Sequence, residues 1–478
     1  MADTVQGRAV HDSGARPDGT ARQSVALGLI ALAALVAALT SSILVPLLPQ
    51  MAVSLHASSA AIEWVLTSTL LVAAVAVPVF GRLGDLYGKK RMLVIAMITL
   101  IAGSLVSALT DNIAVMIVGR SIVGLSMAAI PLGISLIGTI MPPGKAGQGI
   151  ALISSMLGIG GALGLPLAGL VAEHSDYHAL FWICAAGGVI AIAGIIPLVA
   201  EPPRLATGRF DILGTLILAV TLMALLVPLS EAGVWAWGDP RTVGLLAAFA
   251  VIAVMFVAVE RRTASPVIDT RVNARPALLL TNIASLCVGF AMFATLIGTA
   301  DYVEAPRASG YGFGLSIVGS GLCMVPGGLM MLWMSPVSAR LSARFGPKRT
   351  LALGATVVAV GFLWRIALTG QLWQVVVGSA LAGTGTGIAY AAMPSLILLG
   401  APASELAAAN GLNSLARSVG SSLASAVGGT ILASSLITAG GYTLPSLAAY
   451  RVLFAISAGS AIVGAILSLF VPPASIQV

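Results

Sequence analysis

Charge is scarce in this sequence. Only 9% of its 478 residues are Asp, Glu, Lys or Arg, while 58% are hydrophobic and the mean hydropathy is +1.03. A water-soluble domain carries about 25% charged residues, so the shortfall excludes that class and assigns the chain to lipid. Cysteine is nearly missing: Cys184, Cys287 and Cys323 all fall inside apolar runs. They offer neither a disulfide framework nor a metal-ligand spacing and read as small buried hydrophobes. The four histidines, His11, His56, His174 and His178, stand at loops or the edges of apolar runs. An intramembrane enzyme would need its nucleophile, base or metal ligands clustered, so that class is set aside, and no metal or cofactor is expected. Aromatics are 5% of the chain, and no basic run is interleaved with them, so the net charge of +7 does not point to nucleic acid.

What is present is one long apolar run after another. A helix needs about 20 apolar residues to cross the hydrocarbon core. Runs bounded by Pro, Gly or charge give fourteen candidates: 26–49, 60–81, 92–110, 113–140, 149–172, 178–200, 211–232, 242–260, 276–300, 314–337, 350–367, 373–399, 409–437 and 449–471. Residues 1–23 are polar, lack an apolar h-region and read as a short disordered cytoplasmic tail rather than a signal peptide. With the N-terminus in the cytoplasm, 18 of the 24 Lys and Arg fall on that side and only Arg241 and Arg307 outside. The remaining four, Arg120, Arg365, Arg417 and Arg451, lie within spans. Basic loops stay inside, so both termini of this multi-pass plasma-membrane protein are expected in the cytoplasm.

The sequence also repeats. Residues 81–91 read Gly-Arg-Leu-Gly-Asp-Leu-Tyr-Gly-Lys-Lys-Arg, and a worn copy, Ala-Arg-Leu-Ser-Ala-Arg-Phe-Gly-Pro-Lys-Arg, occupies 339–349, 258 positions later. A second pair, Tyr177-His-Ala-Leu-Phe-Trp-Ile-Cys-Ala185 and Tyr450-Arg-Val-Leu-Phe-Ala-Ile-Ser-Ala458, is offset by 273 positions. Either match alone is within reach of chance in apolar text, but the same two in the same order indicate two related halves. The expected organisation is an all-α, 6 + 2 + 6 membrane protein: the tail 1–23, a six-helix bundle 24–200, a two-helix insertion with linkers 201–275, and a six-helix bundle 276–478. Such repeats place a substrate site near the bilayer midplane, served by alternating access as one half rocks against the other.

The turn Gly81-x-Leu83-x-Asp85-x-x-Gly88-Lys89-Lys90 resembles the signature of the major facilitator superfamily, and the fourteen-span layout is similar to its multidrug drug:proton antiporter branch. The resemblance covers residues 25–472. It implies that Gly81, Arg82, Asp85, Gly88, Lys89, Lys90 and Arg91 form a cytoplasmic gate locked in one state of the cycle. The plainer alternative is a topology anchor holding basic residues inside. Ala343 replaces Asp85 in the second copy, so the switch belongs to the first half alone. Arg120-Ser-Ile-Val-Gly124 resembles the family's second motif, with Val123 in place of Gln, and implies an arginine that influences proton transfer. Gly160, Gly161, Gly164, Pro166 and Gly169 resemble the antiporter Gly/Pro motif, with the proline one place displaced; a packing seam of small residues reads the same way. Thr40 stands where relatives carry a span-1 acid, so a Thr40–Arg120 hydrogen bond is expected in place of an ion pair.

Proton exchange needs a carboxylate that loads and unloads. No acid lies clearly at mid-membrane, and the candidates are Glu63, which would serve Arg120 if their helices pack, together with Asp301 and, less so, Glu304 at an outer helix end. Glu63 and Asp301 read equally as interfacial acids in water, and Glu304 reads better as one. Substrate-cavity candidates are Trp64, Phe290, Phe293, Trp333, Tyr390, Met393, Asn413 and Arg417, a set suited to bulky amphipathic or cationic compounds, with Arg417 also open to an anion or lipid. The function expected is export of drugs or antibiotics in exchange for protons; the alternative is a carrier for another small solute, such as a metabolite or siderophore, not necessarily proton-coupled. Expected partners are an amphipathic drug, protons and membrane lipid, with the chain acting as a monomer.

Overall fold

The protein, seen as a computed structural model, is described over residues 17–44, 47–232, 235–439 and 441–472. Its first helix, α1 (Pro17–Ser42), begins inside the segment expected as tail, so residues 17–23 are helical, while 1–16 lie outside the described residues. It also stops short of the expected Pro49. Thr40, Ser41 and Ser42 each turn their hydroxyl back to the carbonyl three residues earlier, an arrangement that competes with the helix ladder. A short helix of 7 residues, α2 (Leu48–Ser54), follows.

Long helices then alternate: α3 (Ser59–Tyr87), α4 (Lys89–Ala108), α5 (Ile113–Gly124) continued by α6 (Ala129–Ile140), α7 (Pro143–His174) and α8 (His178–Leu198). A 3-10 turn at Leu125–Ala128 joins α5 to α6 and makes one span of them. Two further spans, α9 (Ile212–Ser230) and α10 (Pro240–Glu260), precede a single-turn α11 (Thr270–Asn273). The last group is α12 (Pro276–Glu304), α13 (Ile317–Phe345), α14 (Pro347–Ala367), α15 (Leu372–Gly400), α16 (Leu406–Ser434) and α17 (Leu447–Leu469). Thirteen spans are apolar enough to cross a bilayer by composition. The fourteenth, α16, is 29 residues long but carries Asn410, Asn413 and Arg417 on its buried face. A hairpin absent from the sequence reading, β1 (Leu436–Ala439) against β2 (Tyr442–Pro445), links α16 to α17 with Ala439 opposite Tyr442.

Apolar cores follow the repeat. One unites α1 with α3 to α8, and another unites α12 with α14 to α17. A third, smaller core seats Leu218, Leu222 and Leu226 of α9 against Leu71 and Ala74 of α3 and Leu415 and Ala426 of α16. The insertion thus touches both groups through α9, while α10 packs mainly on α9 with its outer face exposed.

The two basic turns share their backbone. Gly88 has φ 116° and Gly346 has φ 85°, and each separates two helices by a single residue. Helix-interrupting prolines, Pro78 and Pro336, stand at the same offset of 258. Only glycine adopts such φ values cheaply. Around Gly346 a Cβ would meet nothing within 4 Å, whereas at Gly88 it would come within 2.9 Å of the Glu201 carboxylate. Gly346→Ala is therefore expected to cost backbone strain alone, about 1–3 kcal/mol, and Gly88→Ala strain plus a displaced carboxylate. Thermal unfolding in detergent should show the larger drop for Gly88→Ala.

Candidate functional site

The end of the molecule bearing the basic turns is tied across the two groups of helices. Asp85, 4% exposed in the last turn of α3, accepts hydrogen bonds from the backbone N–H of Ala407 at 3.1 Å and of Ala408 at 2.9 Å. These are the leading amides of α16, where unpaired N–H groups and the helix dipole favour an anion. Lys89, one turn on, places its Nζ 3.7 Å from Asp85 and donates to Thr139 Oγ1 at 3.2 Å. The approach is backbone to backbone: a Cβ on Gly81 would lie 2.5 Å from the Ala407 carbonyl oxygen, and one on Gly411 would lie 2.8 Å from that of Val77.

Arg82 is buried beside this contact. Its charge reaches Glu405, just ahead of α16, where burial and the charge of Asp269 push the carboxyl up while Arg82 and Arg275 oppose the rise. Lys90 and Arg91 serve differently. Their backbone N–H groups donate to Glu201 at 3.1 and 2.9 Å, which caps the start of α4, and Lys90 Nζ donates to the Ile196 carbonyl at 2.7 Å.

On α7 the glycines sort by neighbour. Gly160 and Gly164 face α1, where Ser42 Oγ donates to the Gly160 carbonyl at 2.9 Å. Gly169 meets Val318 and Gly158 meets Met331, both on α13. Gly161 faces open space. It borders a cavity of about 60 Å³ between α7 and α12, α13 and α15, lined among others by Met292, Thr295, Met324, Met331, Ser379 and Thr386. Pro166 lies within α7, between these contacts.

None of Trp64, Phe290, Phe293, Trp333, Tyr390, Met393, Asn413 and Arg417 lines this cavity. Trp333 is 57% exposed and Trp64 37%. Phe290 and Phe293 pack into the second core, and Met393 is fully buried. Tyr390, Asn413 and Arg417 form a separate buried network. Arg417 lies 4.9 Å above the Tyr390 ring and donates to Asn413 Oδ1 at 3.0 Å and to Ser414 Oγ at 2.8 Å. Asn413 donates onward to Asn282 Oδ1 and Ser285 Oγ at 3.0 and 2.7 Å.

Arg120, 1% exposed, donates from Nη2 to the carbonyl oxygen of Thr40 at 2.8 Å. The bond uses the Thr40 backbone; its hydroxyl is spent on Ala37. Glu63 does not reach Arg120. It is exposed, and its charge acts with burial to push the Glu231 carboxyl up. Asp301 is exposed at the same end, and Glu304 accepts from Ser320 Oγ at 2.5 Å. Among the described residues no group of three or more His, Cys, Asp and Glu could hold a metal ion. Glu201 and the two alanine amides escaped sequence reading, the amides because a backbone donor leaves no mark in a sequence.

Paired bundles, a glycine-lined cavity between them and a carboxylate clasping the opposite bundle define a membrane transporter. Residues 30–333 and 279–477 match the Major Facilitator Superfamily model, and the chain belongs to that family. It is 29% identical over 415 residues to the tetracenomycin C resistance and export protein of Streptomyces glaucescens, covering 85% of this chain and 75% of that one. It is 27% identical over 393 residues to the multidrug resistance protein Stp of Mycobacterium tuberculosis, covering 81% and 72%. With the probable actinorhodin transporter of Streptomyces coelicolor it shares 28% over 443 residues, covering 88% and 75%. The crystal structure of the human organic anion transporter MFSD10 superposes with a TM-score of 0.66 at 13% identity, over 93% of this chain and 99% of that one, which shows the shared fold. The chain is a transporter and not an enzyme.

Two outcomes follow from the Asp85 contact. Hydrogen bonds to a charged acceptor contribute about 1.5–3 kcal/mol each. Asp85→Ala, and Gly81→Val by steric exclusion, are expected to open this end, read as increased labelling of a cysteine placed at Ala407. A carboxyl whose pKa is raised in one state binds protons more readily there, so this closed arrangement weakens as pH rises through the Glu405 pKa. Glu405→Gln should flatten that pH dependence of labelling.

Proposed function

We propose that this protein exports drug- or antibiotic-like small molecules across the plasma membrane by alternating access, in exchange for protons. The observation that carries the reading is the Asp85 clasp on α16. It closes one end of the cavity through bonds that an N-terminal helix dipole strengthens and that rocking would break. The positive-inside rule makes this closed end cytoplasmic, with both termini on that side. The printed names of the relatives, export of tetracenomycin C, transport of actinorhodin and multidrug resistance, support the substrate class. A cavity lined by methionine and small residues suits a bulky apolar body.

Glu63 and Asp301 are proposed as proton carriers. Both are exposed at the end away from the clasp, where incoming protons would arrive, and each has an acid neighbour, Glu231 and Glu304, able to share a proton. We assign Arg120, held by the Thr40 carbonyl, an influence on proton transfer from within the bundle, without contact to Glu63. We assign residues 24–200 and 276–478 to the rocking bundles, 201–275 to the insertion, and a monomer to the working unit. A second reading, a carrier without proton coupling, is favoured by one observation: Arg120 meets a carbonyl where coupling would place a carboxylate.

Drug accumulation in cells making the chain, with and without a protonophore, separates the two. Coupled export predicts lower accumulation that the protonophore abolishes. Asp301→Asn or Glu63→Gln should cut pH-driven export by about tenfold or more at unchanged membrane abundance. Export by both variants at the wild-type rate would remove the carrier assignment.

A further inference from the structure

Two fully buried arginines perform the same act in the two halves from different helices. Arg120 on α5 donates from Nη2 to the Thr40 carbonyl of α1 at 2.8 Å, and Arg365 on α14 donates from Nη2 to the Gly298 carbonyl of α12 at 2.8 Å. Thr40 and Gly298 are 258 positions apart, the same offset that relates the two basic turns. In that register Arg120 falls on Gly378 of α15, and Arg365 falls on Ser107 of α4. The arginine has therefore changed helix, from the fourth span of one half to the third span of the other, while its target carbonyl has stayed in place. The exchange is sterically consistent: a Cβ on Gly378 would collide with the Arg365 side chain, so the small residue makes the room its neighbour fills.

Arg365 is 1% exposed, with its guanidinium 4.2 Å above the Phe454 ring. Its Nε and Nη1, and the Nε of Arg120, have no hydrogen-bond partner, and neither arginine forms an ion pair among the described residues. An unpaired buried cation is costly, and two that bond carbonyls at one register point to a shared task.

Each bond braces a cavity wall from behind. Gly298 lies within one turn of the cavity-lining Thr295 and Leu296, and its neighbour Thr299 shares a 3.2 Å hydroxyl contact with Ser379, also on the lining. On the other side, Thr40 belongs to the turn of α1 that holds Gly160, next to the lining residue Gly161.

We propose that Arg365 is a positioning residue for the substrate cavity, the second half's equivalent of Arg120, and that the position of the guanidinium matters while the helix supplying it does not. The inference rests on the export reading above. Its test is concentration-dependent drug export in membrane vesicles, normalised to the amount of protein. Arg365→Ala is expected to raise the half-saturating drug concentration by about tenfold, the equivalent of one such bond, with the maximal rate per molecule within about twofold. The double variant Arg365→Ser/Gly378→Arg, which gives the second half the layout of the first, should restore it, as should Arg120→Gly/Ser107→Arg relative to Arg120→Ala. Arg365→Lys, which keeps one charged donor, should fall between wild type and Arg365→Ala. An unchanged half-saturating concentration in Arg365→Ala, including a loss confined to rate or abundance, overturns the proposal. So do inserted double variants no better than their alanine parents. If a double variant fails to insert, Arg365→Lys decides: performance equal to Arg365→Ala overturns the proposal as well. Wild-type vesicles that export nothing would instead remove the reading beneath it.

Discussion

A carboxylate from one bundle resting on the first amides of a helix in the other organises this molecule. Asp85 and α16 meet where lipid gives way to water. Each side brings what the other lacks: an anion without an ion pair shorter than the 3.7 Å to Lys89, and N–H groups that no helix can satisfy for itself. The contact is strong because it is charged and buried, yet it is made of a few bonds at one point. A rigid body can leave it as a unit.

Glycine supplies the second half of this design. Gly81 and Gly411 bring α3 and α16 to backbone distance, while Gly158 and Gly169 of α7 make room for the Met331 and Val318 side chains of α13. In lipid no hydrophobic force drives helices together, and close van der Waals approach takes its place. At the α3–α16 seam the nearest neighbours of Gly81 and Gly411 are backbone atoms, with no long side chain interlocked at those points.

Much of this was legible in the sequence. Fourteen apolar runs, two basic turns and their common offset are linear patterns, and they foretold the helices because a bilayer permits little else. The glycines of α7 were legible for the same reason. What failed was direction. Trp333 and Trp64 were assigned to the cavity by their chemistry, but an apolar helix carries no polar face to show which way a side chain points, and neither lines the cavity between α7 and α12, α13 and α15. Partners built of backbone were equally hidden: the Ala407 and Ala408 amides, and the carbonyls of Thr40 and Gly298. Arg365 was visible as a charge inside a span, and its meaning emerged only when the register of the halves was set against its hydrogen bond. The tail and the first span were misjudged at their ends: α1 takes in residues 17–23 and stops at Ser42.

The inserted pair of spans has a geometric corollary. Because α9 wedges between α3 and α16, and Trp237 beyond it fastens to Thr430 of α16 at 2.8 Å, one of the two longitudinal crevices between the bundles is roofed by protein. On the opposite flank α7 and α13 meet directly, Gly158 against Met331 and Gly169 against Val318, with no inserted helix over them. The fourteen-span plan thereby makes a nearly two-fold-symmetric pair of bundles one-sided in the plane of the membrane.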